Sequence, residues 1–260
     1  MSLRDFDPDR RAVIEPGMIW RPVRDFPDTV VSVFSLPLFE RLAALLGGRI
    51  ITRLHDADGV WPVYEVIYRE RRLAFVKARV GAPACVGIFE DVLALGAKRI
   101  VLCGNCGVLD KRIADCSIIL PDAAIRDEGT SYHYAPAADL IPVNREGAGL
   151  FLDLCAELGY TCTRGVSWTT DAFYRETKAK VAARRAAGAV CVEMECAAMQ
   201  AMCDFRGAWF FQFFYAADNL DHTTWEPRSL GGGVRLSDKE KIGLLAFEFA
   251  SRLPPLAAGT

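Results

Sequence analysis

The chain of 260 residues carries 31 lysines and arginines against 33 aspartates and glutamates, a net charge of −2, and 52% of its residues are hydrophobic. This balance excludes a disordered or collagen-like chain, and the lack of excess cations excludes a surface that coats nucleic acid. At about 100–200 residues per domain, the length suits one large α/β domain or two small ones, with small molecules as partners. The N-terminal stretch Met1 to Gly17 is charged and has no continuous apolar core, so it reads as neither a signal nor a transit peptide. No segment reaches the roughly 18–20 apolar residues of a membrane span. The longest apolar stretch, Gly207 to Ala217, is interrupted by Gln212. No membrane partner is expected, and the expected compartment is the cytoplasm. Nine cysteines, several inside apolar patterns (Cys155, Cys191, Cys203), read as reduced buried thiols rather than a disulfide scaffold.

In chain order, Val30 to Phe34 predicts a strand and Pro37 to Leu46 a helix stopped by Gly47-Gly48. Val63 to Arg69 and Leu73 to Val80 predict a hairpin-like strand pair. Ala84 to Leu95 has helical spacing and ends at Gly96. Arg99 to Cys103 and Ser117 to Leu120 are short β-rich runs, Gly149 to Leu158 a helix, and Thr161 to Trp168 a strand. Thr177 to Ala187 predicts a helix, Ala189 to Val192 a strand, Met194 to Phe205 a helix, and Ala208 to Ala216 a long buried strand. Ser237 and Glu240 form a capping box ahead of a last helix, Ile242 to Leu253, which Pro254-Pro255 stops. Strands separated by helices, without a dividing linker, predict one three-layer α/β/α domain over residues 1–260 with a central mixed sheet. Residues 1–28 read as a loosely packed N-terminal extension. Asn219 to Arg235 has no periodicity and reads as a long loop near a site.

Three segments carry candidate chemistry. In the first, Val101 to Leu109, a buried strand is predicted to run into a turn, Gly104-Asn105-Cys106-Gly107, whose glycines would let backbone amides approach a ligand; an ordinary tight turn is the alternative. The Cys103-x-x-Cys106 spacing is thioredoxin-like, but the first Cys ends a strand instead of opening a helix, which argues against redox work. The case for zinc is weaker still, because no second such pair exists and His55, His133 and His222 are scattered. The second segment, Val190 to Met199, delivers Glu193 and Glu195 from a strand into a helix start. Helix capping accounts for one carboxylate, and the carboxyl end of a buried strand is where open α/β sheets place ligands. In the third, Phe213 to Asn219, an apolar strand ends in Asp218. This is either a loop-capping residue or a partly desolvated acid able to protonate a leaving group.

The run Val192-Glu-Met-Glu-Cys-Ala-Ala198, the Gly104 to Gly107 segment, Gly81-Ala-Pro83 before a helix, and Ile125 to Tyr134 together resemble the nucleoside phosphorylase family of uridine and hexameric purine nucleoside phosphorylases. The likeness covers roughly Val63 to Leu220 in consistent order. It implies that Glu195 hydrogen-bonds the ribose hydroxyls, that Met194 packs beneath the sugar beside Glu193, and that Phe173 stacks on the base, unless Phe173 is an ordinary core residue. It also implies inorganic phosphate as co-substrate with no other cofactor and no metal, and a homodimer or homohexamer whose sites borrow residues across an interface.

Base preference follows from what is missing. The Gln and Arg with which uridine phosphorylases read uracil correspond to Thr177 and Ala179, which favours purine over uridine. Asp218 matches the acid that protonates a purine at N7, with Arg228 as its assisting arginine and Arg235 as the alternative. The phosphate site departs most from the family. Its Gly-Asp-Pro-x-Arg loop appears as Ser35-Leu-Pro-Leu-Phe39, its second Arg as Leu102, and its borrowed third Arg falls near Gly59. A dianion is bound mainly through charge-assisted contacts, so Arg79, on the strand leading to Gly81, is the expected replacement. The expected reaction is phosphorolysis of a purine-type nucleoside. Hydrolysis of the same bond and a non-catalytic nucleoside-binding role are the alternatives. The N-terminal glutamate of related nucleosidases has no counterpart in Val30 to Leu36.

Overall fold

The structure is a computed structural model that describes residues 5–57, 59–221, 224–231 and 233–256. The chain enters through a short helix α1 (Pro16–Ile19). Around it, Trp20, Val23 and Phe26 pack against the core, and the Val23 amide bonds to the Leu95 carbonyl at 3.0 Å. The central strand β1 (Thr29–Val33) is buried throughout and leads into α2 (Leu36–Leu45), which starts at Ser35 with Pro37 in its first turn. Three strands follow, β2 (Arg49–Asp56), β3 (Gly59–Tyr68) and β4 (Arg71–Lys77), then α3 (Ala82–Leu95) and β5 (Arg99–Val108). The second half runs β6 (Ile118–Asp127), β7 (Leu140–Pro142), α4 (Ala148–Glu157), β8 (Cys162–Thr170), α5 (Lys178–Ala186), β9 (Ala189–Glu193), α6 (Cys196–Arg206), β10 (Trp209–Asn219) and α7 (Leu236–Arg252).

β5 organises the single mixed sheet. It pairs in parallel with β1 along its first half and with β10 along its whole length. At its end it pairs antiparallel with β9, Gly107 opposite Val192. β10 continues to β6, β6 to β8, and β8 back to β9, so five strands close a ring on β5. In the other direction β1, β4, β3 and β2 form an open wing. Alternation along β5 sorts its side chains into two layers. Val101 and Cys103 face the cluster built with α2, α4 and α7, and Ile100 and Leu102 face the cluster built with α3 and α6. The expected three-layer α/β fold is the observed one. Its ring brings the carboxyl ends of β5, β8, β9 and β10 together.

Several local expectations change. β2 is an edge strand whose side chains are mostly solvent-facing apart from Leu54, so it carries no apolar run. The capping box does not form. α7 begins at Leu236, one residue before Ser237, behind an N-cap Arg235 in a left-handed conformation (φ 49°), and Glu240 pairs instead with Arg41 of α2. The Gly104 to Gly107 segment is strand, not turn. A Cβ on Gly104 would stand 3.1 Å from Phe214, and one on Gly107 2.5 Å from Leu220 and 3.0 Å from an Asp218 oxygen. The glycines therefore serve close strand packing rather than an anion nest. We expect Gly107→Ala to displace Asp218 or Leu220 and to destabilise the protein by about 1–3 kcal/mol, read from denaturant midpoints. Cys103 and Cys106, three apart on a strand, face opposite sides of the sheet and belong to different clusters. All nine cysteines are free.

Candidate active site

The site is assembled where β9 enters α6. Glu193, 5% exposed, ends β9, and its carboxylate is fully engaged by protein. One oxygen accepts the hydroxyls of Ser167 (2.9 Å) and Thr169 (2.6 Å). The other accepts the backbone amides of Glu195 and Cys196, both at 2.7 Å, which are first-turn donors of α6. These bonds hold the anion against the burial that raises its pKa. Glu193, expected to bind substrate, has both carboxylate oxygens occupied by protein donors and caps α6. Glu193→Ala leaves two amides and two hydroxyls unpaired in the interior, an expected loss on the order of 3 kcal/mol in chemical denaturation.

Glu195 is the N-cap residue of α6 and is also 5% exposed. Its Oε1 accepts the Gly81 amide at 2.5 Å, tying α6 to the start of α3. Burial first, and then the charge of Glu193, push its carboxyl up to about 8. Met194, between the two acids, remains partly open to solvent. Phe173, in a 3-10 turn after β8, is 51% exposed, so it is no core residue, and Tyr174 beside it is 90% exposed.

Asp218 lies at the end of β10 opposite Gly107 and is 9% exposed. Its Oδ2 accepts the indole N–H of Trp225 at 2.8 Å. Burial raises the carboxyl, while the Trp225 bond and the Arg228 charge pull it back only in part. The structure separates the two loop arginines. Arg228 donates to the Ile113 carbonyl at 2.9 Å and its charge reaches Asp218, whereas Arg235 is held by Asp115 (3.1 Å) and Asp238 (2.9 Å). Two further groups belong to this end of the site without having been picked out in sequence. Trp225 lies in the aperiodic loop, and Glu176 follows the Phe173 turn, its carboxyl pushed up to about 7 by burial and by Asp218. An acid just before a helix reads as an ordinary helix start, which is why the sequence does not single it out.

Asn105 is partly exposed, but the Cys106 side chain is buried inside the ring, its thiol pushed well up by burial, and offers nothing to a ligand. At the positions expected to bind phosphate, Leu38, Phe39 and Leu102 are buried apolar packing and Ser35 starts α2. Arg79 pairs with Asp56 at the end of β2, and its guanidinium lies 4.1 Å over the Trp61 ring. Lys77 stands over the same ring at 5.3 Å, its pKa lowered by burial and by Arg79.

An α/β fold with buried acids at converging strand ends defines a class of small-molecule enzymes that work at strand carboxyl ends. The model of the Phosphorylase superfamily matches residues 33–238, and the chain belongs to that family. It is 24% identical to a uridine phosphorylase of Escherichia coli over 182 residues, 65% of this chain and 71% of that one. It is 25% identical to a DeoD-type purine nucleoside phosphorylase of Bacillus cereus over 166 residues, 62% of this chain and 71% of the relative. Its fold is similar to that of the Toxoplasma gondii purine nucleoside phosphorylase crystallised with immucillin-H, with TM-score 0.70 and 18% identity over 87% of this chain and 90% of that one. Among the described residues, no helix is long and apolar enough to cross a membrane.

Proposed function

We propose that this protein cleaves the N-glycosidic bond of purine nucleosides by phosphorolysis, giving free base and ribose 1-phosphate. The observation that carries the reading is Asp218, a desolvated acid held by Trp225 at the end of β10. A phosphate oxygen bonds to C1′ as the C1′–N9 bond breaks, and the bonding pair leaves with the base. Asp218 gives its proton to N7, which draws that pair into the ring and makes the purine a neutral leaving group. Glu195, anchored by Gly81, orients the ribose hydroxyls and stabilises the positive charge that develops on the sugar. Phe173 offers the base a stacking face, with Met194 beneath the sugar. The exposed Phe173 and Tyr174 leave this side of the site for a second copy to cover, in keeping with a homodimer or homohexamer.

The test is release of free base from inosine, guanosine, adenosine and uridine, each with and without phosphate. Phosphate-dependent cleavage of purine nucleosides supports phosphorolysis. Phosphate-independent cleavage supports hydrolysis, the reading favoured by the apolar Leu102 and Ser35 to Phe39 positions. Within the phosphorolytic reading, Arg79 exchanges Asp56 for the dianion. Arg79→Ala then raises the phosphate KM at least about tenfold, as expected for loss of one charge-assisted contact. An unchanged phosphate KM removes Arg79 from that role.

A further inference from the structure

Lys239 lies on the first turn of α7 with only 1% of its surface exposed, and the chemistry above leaves it without a role. Its ammonium donates to the carbonyls of Ser229 (2.5 Å) and Gly231 (2.9 Å) and stands 5.8 Å from the centre of the Tyr215 ring of β10. Among the described residues no carboxylate forms an ion pair with it, and burial lowers its pKa, opposed only in part by the charge of Asp115. A buried ammonium is costly, and an apolar side chain of similar length would fill the same space at less cost. What the charge gains is a grip on the loop, because both acceptors belong to the segment that carries Trp225 and Arg228. That segment is tied on its other side as well. The Ser229 hydroxyl donates to Asp115 Oδ1 at 2.6 Å, and Arg235 holds the second Asp115 oxygen at 3.1 Å. Asp115 precedes Cys116, whose amide bonds the Ala216 carbonyl at 2.8 Å, two residues before Asp218. Nearer β10, Asn219 and Glu226 bridge through backbone bonds of 3.0 and 3.2 Å and a side-chain bond of 2.8 Å. Arg228, between these ties, has a left-handed backbone (φ 39°), a strained conformation that persists where neighbours hold it.

We propose that Lys239 is a positioning residue for proton transfer: by holding the Ser229 and Gly231 carbonyls it fixes the loop that sets Trp225 and Arg228 against Asp218. The inference rests on the reading of Asp218 as the acid and adds a residue that acts on it only through others. Trp225 fixes one Asp218 oxygen at 2.8 Å, so a shift of the loop turns the carboxyl. Arg228 bonds the Ile113 carbonyl at 2.9 Å, in the same stretch as Asp115, so the knot also sets the distance over which its charge acts on Asp218. α7 is a firm base for this hold, since Ile242, Leu245, Ala246 and Phe249 lie in the largest core cluster. A proton donor displaced by about 1 Å can cost on the order of 10²-fold in rate, even when the change that displaces it is remote from the chemistry.

The experiment compares Lys239→Met, which keeps the length and removes the donor, with the wild type in two readouts. The first is kcat and KM, with phosphate, for inosine and for 7-methylguanosine, whose positively charged base leaves without being protonated. Lys239→Met should lower kcat for inosine about 10–10²-fold with KM within about threefold, and leave 7-methylguanosine within about threefold of the wild type. The second is hydrogen exchange in the protein alone. Peptides covering residues 224–231 should exchange about tenfold faster, while those of β10 and of the core-facing part of α7 keep their wild-type protection. Ser229→Ala loosens the same knot from the loop side and should show the same split more weakly, so it carries the test if Lys239→Met fails to fold. Equal losses on the two nucleosides, or exchange that rises throughout β10 and α7, would make Lys239 a support of the fold alone and overturn the proposal. Unchanged exchange in the loop overturns it as well. Loosening confined to the loop in a protein that cleaves neither nucleoside upholds the hold of Lys239 on the loop and overturns the phosphorolytic reading instead.

Discussion

Asp218→Asn lowers kcat/KM for inosine by about 10²–10⁴-fold, the usual worth of a positioned general acid. The asparagine fills the same space and can still meet the Trp225 indole through its oxygen, so folding should survive while the transferable proton is lost. The loss should depend on the leaving group. A nucleoside already methylated at N7 carries a positive ring and needs no proton, so Asp218→Asn should cleave 7-methylguanosine at nearly the wild-type rate. The pH profile supplies the sign. Burial raises the Asp218 carboxyl above the ordinary range, and the acid works only when protonated. Wild-type kcat/KM for inosine therefore falls as pH rises through that raised pKa, and this limb should be missing from the mutant profile. An equal loss on both substrates would remove Asp218 from proton transfer.

Glu195→Gln separates activity from stability. The carboxyl is pushed up to about 8 in the folded protein, against 4.5 for the ordinary group. Between these values the folded state binds more protons than the unfolded state, so its stability is fully present below pH 4.5 and declines as pH rises toward 8. The shift corresponds to a loss on the order of 3–5 kcal/mol at alkaline pH. A glutamine cannot ionise, and its carbonyl can accept the Gly81 amide as Oε1 does. The melting temperature of Glu195→Gln should exceed that of the wild type by several degrees at pH 8 and match it near pH 4, in thermal scans. At pH 8 and above, where the wild-type group is charged, the same change removes the carboxylate proposed to face the ribose and should lower kcat/KM by about 10²-fold or more. A mutant equally stable at both pH values would show that the acid is not charged against its surroundings. The opposing effects fit a site whose residues are arranged for chemistry at some cost in stability.

Much of this site can be read from residue order. The pattern Glu193-Met194-Glu195 announces a strand feeding a helix because an apolar run of period two ends where a helical period begins. Asp218 is legible for the same reason, as an acid closing the longest apolar run. What each carboxylate does is another matter. Glu193 and Glu195 are two residues apart and chemically identical. The first is consumed by Ser167 and Thr169, distant in sequence, and by amides of its own helix, while the second is left facing Gly81. The Gly104 to Gly107 segment looks like a turn because glycines usually break strands. In the ring they are the only side chains small enough for Phe214 and Leu220 to pass.

By itself, then, the sequence determined the alternation of strands and helices, the three-layer architecture, the family likeness and the acids at strand ends, since these follow from local periodicity and short-range motif order. Tertiary structure alone decided that five strands close into a ring, that Arg235 is held by Asp115 and Asp238 while Arg228 bonds the Ile113 carbonyl, that Arg79 is paired with Asp56, and that Trp225 meets Asp218. These outcomes depend on desolvation and on charges brought together from remote parts of the chain. Both are properties of the packed interior, where burial changes what a carboxylate or guanidinium will bind, and neither is carried by any one segment.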